Sequence, residues 1–161
     1  MTATVRQARA GDVGEILSIL EPYIQQGIVL KRTYEEIASH IGSFLVAESG
    51  DTLLGVVAHY SYSRHLKEVR SLAVRQSAVK QGIGKLLVKE KIRTLLEESP
   101  HAKIFTLTYV PGFFGRLDFH TVDKNCFPEK IWKDCSKCTK AESCGETALV
   151  YGEAVSVTPL D

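Results

Sequence analysis

The sequence has almost no net charge: twenty basic side chains stand against nineteen acidic ones over 161 residues. A binder of nucleic acid or of an anionic membrane surface carries a general excess of lysine and arginine. Neither partner is therefore expected, and any anion site has to be local. Long apolar runs are missing too. None approaches the ~18 consecutive apolar residues of a membrane span, and the opening MTATVRQARAGD lacks the apolar core of an export signal. The expectation is a soluble, cytoplasmic protein. Internal repeats, low-complexity tracts and Pro/Ser-rich linkers are also absent, so residues 1–161 are expected to form one domain, able to bury a core without disulfides or a metal. Cysteine is confined to the last quarter, at Cys126, Cys135, Cys138 and Cys144. Four sulfurs suffice for tetrahedral zinc, and Cys135 and Cys138 have C-x-x-C spacing, but a second such knuckle is missing. The expectation is reduced, buried or redox-sensitive thiols and no metal.

The patterns that are present alternate in period. TATVRQA has a strand's composition, and GDVGEILSILEPYIQQ then sets Val13, Ile16, Leu17 and Leu20 at helical spacing. Thr33 is placed to cap a helix YEEIASHI, with Glu35 and Glu36 in its first turn. SFLVAES and TLLGVVAHYSYS read as strands joined by a tight turn at Glu48 to Asp51, and EVRSLAV as a third strand beginning at Glu68. From Gly82 a helical stripe of Ile83, Leu86, Leu87, Ile92 and Leu95 runs to Ser99-Pro100. AKIFTLTY is a strand, Pro111 opens a short helix GFFGRLDF, and ETALVYGEAV closes the fold as a strand. The order β-α-α-β-β-β-α-β-α-β predicts an α/β (α+β) fold, a mixed sheet with helices on both faces.

Gly82 and Gly84 sit where the strand period gives way to the helical one. A helix N-terminus offers unpaired N–H groups and the positive end of its dipole, and glycine lets a phosphate approach the backbone. Lys80 and Lys85 add local positive charge. The two familiar nucleotide loops are excluded: position 87 is Leu where the dinucleotide pattern needs glycine, and Gly84-Lys85 is followed by Leu86 where the P-loop needs Ser or Thr. A tight turn or another kind of phosphate cradle remains.

EVRSLAVRQSAVKQGIGKLL resembles the acetyl-CoA-binding segment of the GNAT acyltransferase superfamily, in which a strand ending in LAV leads through R/Q-x-x-G-x-G/A into a helix. The order of strands and the opening VRQARAGDVGEIL fit the same pattern. The resemblance implies splayed central strands and a cofactor site at Leu72, Ala73, Val74, Val79, Lys80, Gln81, Gly82, Ile83, Gly84 and Lys85, with pyrophosphate held largely by main chain. Val79 stands where the family has Arg or Gln, which removes a side-chain contact. A longer stretch, FTLTYVPGFFGRLDFHTVDKNCFPEKIWKDCSKC, resembles short stand-alone amino-acid N-acetyltransferases of the N-acetylglutamate synthase type. Asp118 replaces that pattern's usual glycine. The kinase-like domain of longer synthases has no counterpart here, so their regulation does not carry over.

The resemblance implies transfer of acetyl from acetyl-CoA to the α-amine of L-glutamate, in arginine biosynthesis. Such a reaction needs a base for the ammonium, donors for the oxyanion and an acid for the thiolate. Glu68 is the candidate base; it could equally be a surface carboxylate paired with Lys67 or Arg70. A main-chain N–H near Leu72 or Ala73 is the implied oxyanion donor. Tyr109, at the end of FTLTY, is the candidate acid, with packing as its alternative role. Lys31 and Arg32, between the first two helices, and Arg70, on the same strand face as Glu68, are the candidates for the substrate carboxylates, or are ordinary solvated cations. The alternatives are another acceptor (glutamine, another small amine or a protein N-terminus) and a non-catalytic acyl-CoA-binding or zinc-knuckle module. A homodimer is left open.

Overall fold

A computed structural model describes residues 3–122 and 147–152. All four cysteines and the IWKDC segment lie outside these residues. Among those described, no cluster of His, Cys, Asp or Glu is arranged to hold a metal, and no helix is long and apolar enough to cross a membrane.

Strand β1 (Thr4–Gln7) leads through a single 3-10 turn into helix α1 (Val13–Gln25), whose Val13, Ile16, Ile19 and Leu20 are buried. Helix α2 (Tyr34–Ser39) begins with a reciprocal cap. Thr33 Oγ1 accepts from the Glu36 N–H, and the Glu36 carboxylate accepts from the Thr33 N–H, both at 3.1 Å. Strands β2 (Phe44–Ser49) and β3 (Thr52–Ser63) form the expected hairpin, and β4 (Leu66–Val74) returns beside β3. Helix α3 (Ile83–Glu98), β5 (Lys103–Thr108), α4 (Pro111–Gly115), β6 (Phe119–Val122) and β7 (Thr147–Tyr151) complete the described chain.

The seven strands make one sheet in the order β1-β2-β3-β4-β5-β7-β6, antiparallel except where β4 meets β5. α1 and α2 cover one face through Ile16, Leu20, Ile37, Val46, Val56 and Ala73. α3 and α4 cover the other through Val57, Val69, Ile83, Leu87, Leu95 and Phe114. α3 lies directly on β3 at Gly55, where an added Cβ would stand 2.9 Å from Leu87 Cδ1. The mixed sheet with helices on both faces is the expected architecture.

Two expectations need correction. The third central strand begins at Leu66, so Glu68 is an interior residue of β4, with its side chain buried, and not the strand's first residue. The segment GFFGRLDF is not one helix: α4 stops at Gly115, and Phe119 starts a strand the sequence pattern did not announce. Asp118 explains the change. It takes a left-handed backbone (φ 68°), the conformation its usual glycine would adopt freely, and its carbonyl accepts from Gly152 N–H at 2.8 Å. Phe119 is thereby turned into an aromatic stack, 5.2 Å from Phe114 and 5.5 Å from Tyr151. Tertiary packing outweighs the local helical pattern.

Candidate active site

The site is organised by a split in the sheet. β4 and β5 pair only from Leu66 to Glu68, opposite Lys103 to Phe105. Beyond that point Thr106, itself buried, donates its hydroxyl to the Val69 carbonyl at 2.9 Å and closes the ladder with a side chain. β4 then bulges: Ser71 has φ 54°, and its pairing with β3 shifts between Arg70 and Ala73. The edge of β4 that carries Leu72 to Val74 is thus released from β5 while its other edge stays bonded to β3. Parallel strands that part in this way leave a cleft floored by main chain that the ladder no longer pairs.

Where β4 ends, the Val74 carbonyl accepts from Tyr23 Oη of α1 at 2.6 Å. Arg75 turns back, its N–H to Leu54 O (2.7 Å) and its Nε to Leu53 O (2.9 Å), so this guanidinium serves the strand end. Ala78 is buried and anchors the loop, while Val79, Lys80, Gln81 and Gly82 are exposed. Lys80 and Gly82 both have left-handed backbones (φ 66° and 78°). The first α3 bond runs from Leu86 N–H to the Gly82 carbonyl at 3.0 Å, and no side chain caps the helix. The N–H groups of Ile83, Gly84 and Lys85 therefore precede the helical ladder and face the open end of the dipole. This geometry fits a pyrophosphate at the loop, with Lys80 and Lys85 as exposed charges beside it.

The two glycines differ in purpose. Gly82 has open space around it, and its left-handed backbone is what a side chain would strain. Gly84 is a packing residue: a Cβ there would lie 3.3 Å from the Phe113 ring of α4, so its smallness seats α4 against the start of α3.

Where α2 faces β3 and β4 lies a cavity of about 370 Å³. Lys31, Arg32 and Arg70 all line it, together with Tyr60, His59 and Ser71. The chain reaches it by an orderly route. α1 ends at Gly27 (φ 74°), whose N–H bonds the Ile24 carbonyl while Ile28 N–H bonds that of Tyr23. This Schellman closure directs residues 28–32 back along the sheet before Thr33 caps α2.

Glu68 and Arg70 share one face of β4, as alternation requires. Arg70 Nη2 and Nε both donate to Glu68 Oε1, at 2.5 and 3.2 Å. Tyr62 Oη donates to the same oxygen at 3.1 Å and accepts from Arg70 Nη2 at 3.0 Å. The guanidinium also stacks over Tyr60, 4.8 Å from the ring centroid. Arg70 is thus held on three sides, and a proton reaching Glu68 must arrive at its other oxygen. Tyr109 lies one residue past the end of β5 and is partly buried. Sequence patterns did not single out Tyr23, Tyr60, Tyr62 or Thr106.

Beneath β3, on the α3 face, Lys91 is 2% exposed and donates to the Ser43 carbonyl and toward His59 Nδ1, both at 2.9 Å. Burial holds the Lys91 ammonium down at about 8. Burial, then the charges of Lys91 and Lys67, hold His59 down at about 4. His59 is therefore neutral near pH 7.

Residues 18–133 match the acetyltransferase (GNAT) domain family. The chain is 42% identical over 146 residues to an uncharacterised N-acetyltransferase of Chlorobaculum tepidum, covering 91% of this chain and 94% of that one. It is 29% identical over 136 residues to the amino-acid acetyltransferase of Neisseria meningitidis, covering 81% of this chain but only 30% of that protein. Its fold superposes on N-acetylglutamate synthase from Neisseria gonorrhoeae, complexed with coenzyme A and N-acetyl-glutamate. The TM-score is 0.84 at 26% identity, over 94% of this chain and 35% of that one. The split sheet, the uncapped α3 terminus and the family match agree: this chain belongs to the GNAT acetyltransferases.

Proposed function

We propose that the protein transfers the acetyl group of acetyl-CoA to the α-amine of L-glutamate. The observation that carries this reading is the convergence of Lys31, Arg32 and Arg70 on one cavity beside the split. Three cations suit an acceptor with two carboxylates, and a guanidinium already fixed in place meets a carboxylate at little entropic cost. The named relatives support the choice of an amino acid, although this chain spans less than a third of the amino-acid acetyltransferase from Neisseria meningitidis.

In this reading the donor is held by main chain: the N–H groups at Gly82, Ile83, Gly84 and Lys85 take the pyrophosphate, aided by Val79, Lys80 and Gln81, and the free edge at Leu72, Ala73 and Val74 takes the pantetheine arm. The donor supplies the thioester, which the amine attacks as the C–S bond breaks. Glu68 takes the proton the ammonium must lose, directly or through water. A main-chain N–H of Leu72 or Ala73 holds the oxygen on which charge develops. Tyr109 gives its proton to the departing sulfur and regains one from solvent.

Thiol release from acetyl-CoA, followed with a panel of amino acids, tests the assignment. Turnover with L-glutamate is expected. Turnover confined to other amines would reassign the acceptor, and turnover with none would leave an acyl-CoA-binding module.

A further inference from the structure

Tyr23 bonds to both halves of the site, and it does so at two different atoms. Its hydroxyl donates to the Val74 carbonyl at 2.6 Å, the last residue of the strand edge assigned to the donor. Its own carbonyl accepts from Ile28 N–H at 2.9 Å and from Val29 N–H at 3.3 Å, the first turn of the segment that carries Lys31 and Arg32 into the cavity. The left-handed Gly27 makes the second contact possible, because it reverses the chain at the end of α1. The first contact falls where β4 has already lost β5, so few other bonds fix the position of Val74 on that side.

We propose that Tyr23 is a positioning residue that couples occupancy of the donor strand to the order of the acceptor loop. A ligand that orders the β4 edge strengthens the hold on Val74. Through the rigid last turn of α1, that hold fixes the start of the loop, and the reverse follows by linkage. The α1 helix is anchored in the core by Ile16, Ile19 and Leu20, so it transmits a shift as a body. The inference rests on the donor and acceptor halves as assigned above.

The test uses Tyr23→Phe, which removes one oxygen and keeps the ring. Coenzyme A affinity is measured by calorimetry with and without saturating L-glutamate in both chains. The wild-type protein is expected to bind coenzyme A about fivefold more tightly with glutamate present, at the low end of ordinary couplings. In Tyr23→Phe that ratio is expected to fall to one, with coenzyme A alone bound about threefold more weakly, the scale of one neutral hydrogen bond. A purely structural role would lower the melting temperature and leave the ratio intact, which overturns the proposal. A wild-type ratio of one with an amine that is acetylated overturns it as well. Thiol release run on the same samples keeps the two failures apart. If glutamate is not turned over, the acceptor reading falls and the ratio is taken with whichever amine is turned over. If none is, hydrogen exchange of residues 28–32 with and without coenzyme A reads the coupling: protection in the wild-type chain that Tyr23→Phe loses supports the proposal, and equal protection in both chains, or none in either, overturns it.

Discussion

The donor and acceptor halves proposed for this site both border β4 and are made of different material. The donor half is main chain: the β4 edge freed after Glu68, the left-handed Lys80 and Gly82, and the uncapped start of α3. The acceptor half is side chain: Lys31, Arg32 and Arg70 around a cavity, with Arg70 held by Glu68, Tyr62 and Tyr60. A backbone site recognises a shape common to every acyl-CoA and tolerates side-chain change. A side-chain site selects one acceptor, and each of its members matters. The difference makes mutational sensitivity the natural probe.

The largest effect is expected at Glu68. Glu68→Gln keeps the size of the side chain but removes its proton-accepting oxygen, and kcat should fall by about 100-fold or more, the scale of general-base catalysis. Coenzyme A affinity should stay within about twofold, and an unchanged kcat across pH would remove Glu68 as base. Arg32→Ala comes next: the loss of a charge-assisted bond should raise the KM for L-glutamate about 10- to 100-fold while the KM for acetyl-CoA moves little. Equal effects on both would break the division into halves. On the donor side, Gly82→Ala should raise the KM for acetyl-CoA about tenfold, because alanine at φ 78° costs ~1–2 kcal/mol. Lys80→Ala should change it less than threefold, since it removes only an exposed charge. A larger effect of Lys80→Ala than of Gly82→Ala would show that the donor half depends on side chains after all.

The smallest effect concerns the pair beneath the sheet. Between about 4 and 6.5 the unfolded chain protonates His59 while the folded chain does not, so stability falls as pH drops through that window. Between about 8 and 10.5 the unfolded chain keeps the Lys91 proton that the folded chain has lost, so stability rises with pH there. Lys91→Met should abolish the upper window and narrow the lower one, because the charge that helps depress His59 is gone. Urea unfolding across pH measures both, and an unaltered pH profile in Lys91→Met contradicts the assignment.

Legibility in the sequence follows the same division. The donor half is contiguous, from Leu72 to Lys85, so its strand, loop and helix start could be read as a run. Gly84 was legible as a glycine at a helix start but its packing role was not, because the Phe113 ring it accommodates comes from a separate helix. The acceptor half joins distant segments, and only residue chemistry pointed to Lys31, Arg32 and Arg70. The Glu68–Arg70 pair could be read from alternation along one strand, but that Tyr62 joins it depends on the β3–β4 register, which shifts between Ser61 and Ser63. Tyr23 and Thr106 act through main-chain carbonyls, which leave no mark on side-chain pattern. Lys91 did carry a signal, since it lies four residues from both Leu87 and Leu95 on the apolar stripe of α3.

The most direct test of the account is the ratio of kcat/KM for L-glutamate to that for L-glutamine, measured in the wild-type chain and in Arg32→Ala. A ratio above about 100 that collapses toward one in the variant is predicted, since a site built to pair a carboxylate rejects the uncharged amide that leaves its cation unpartnered. A ratio near one in the wild-type chain, or one that Arg32→Ala leaves untouched, would contradict it.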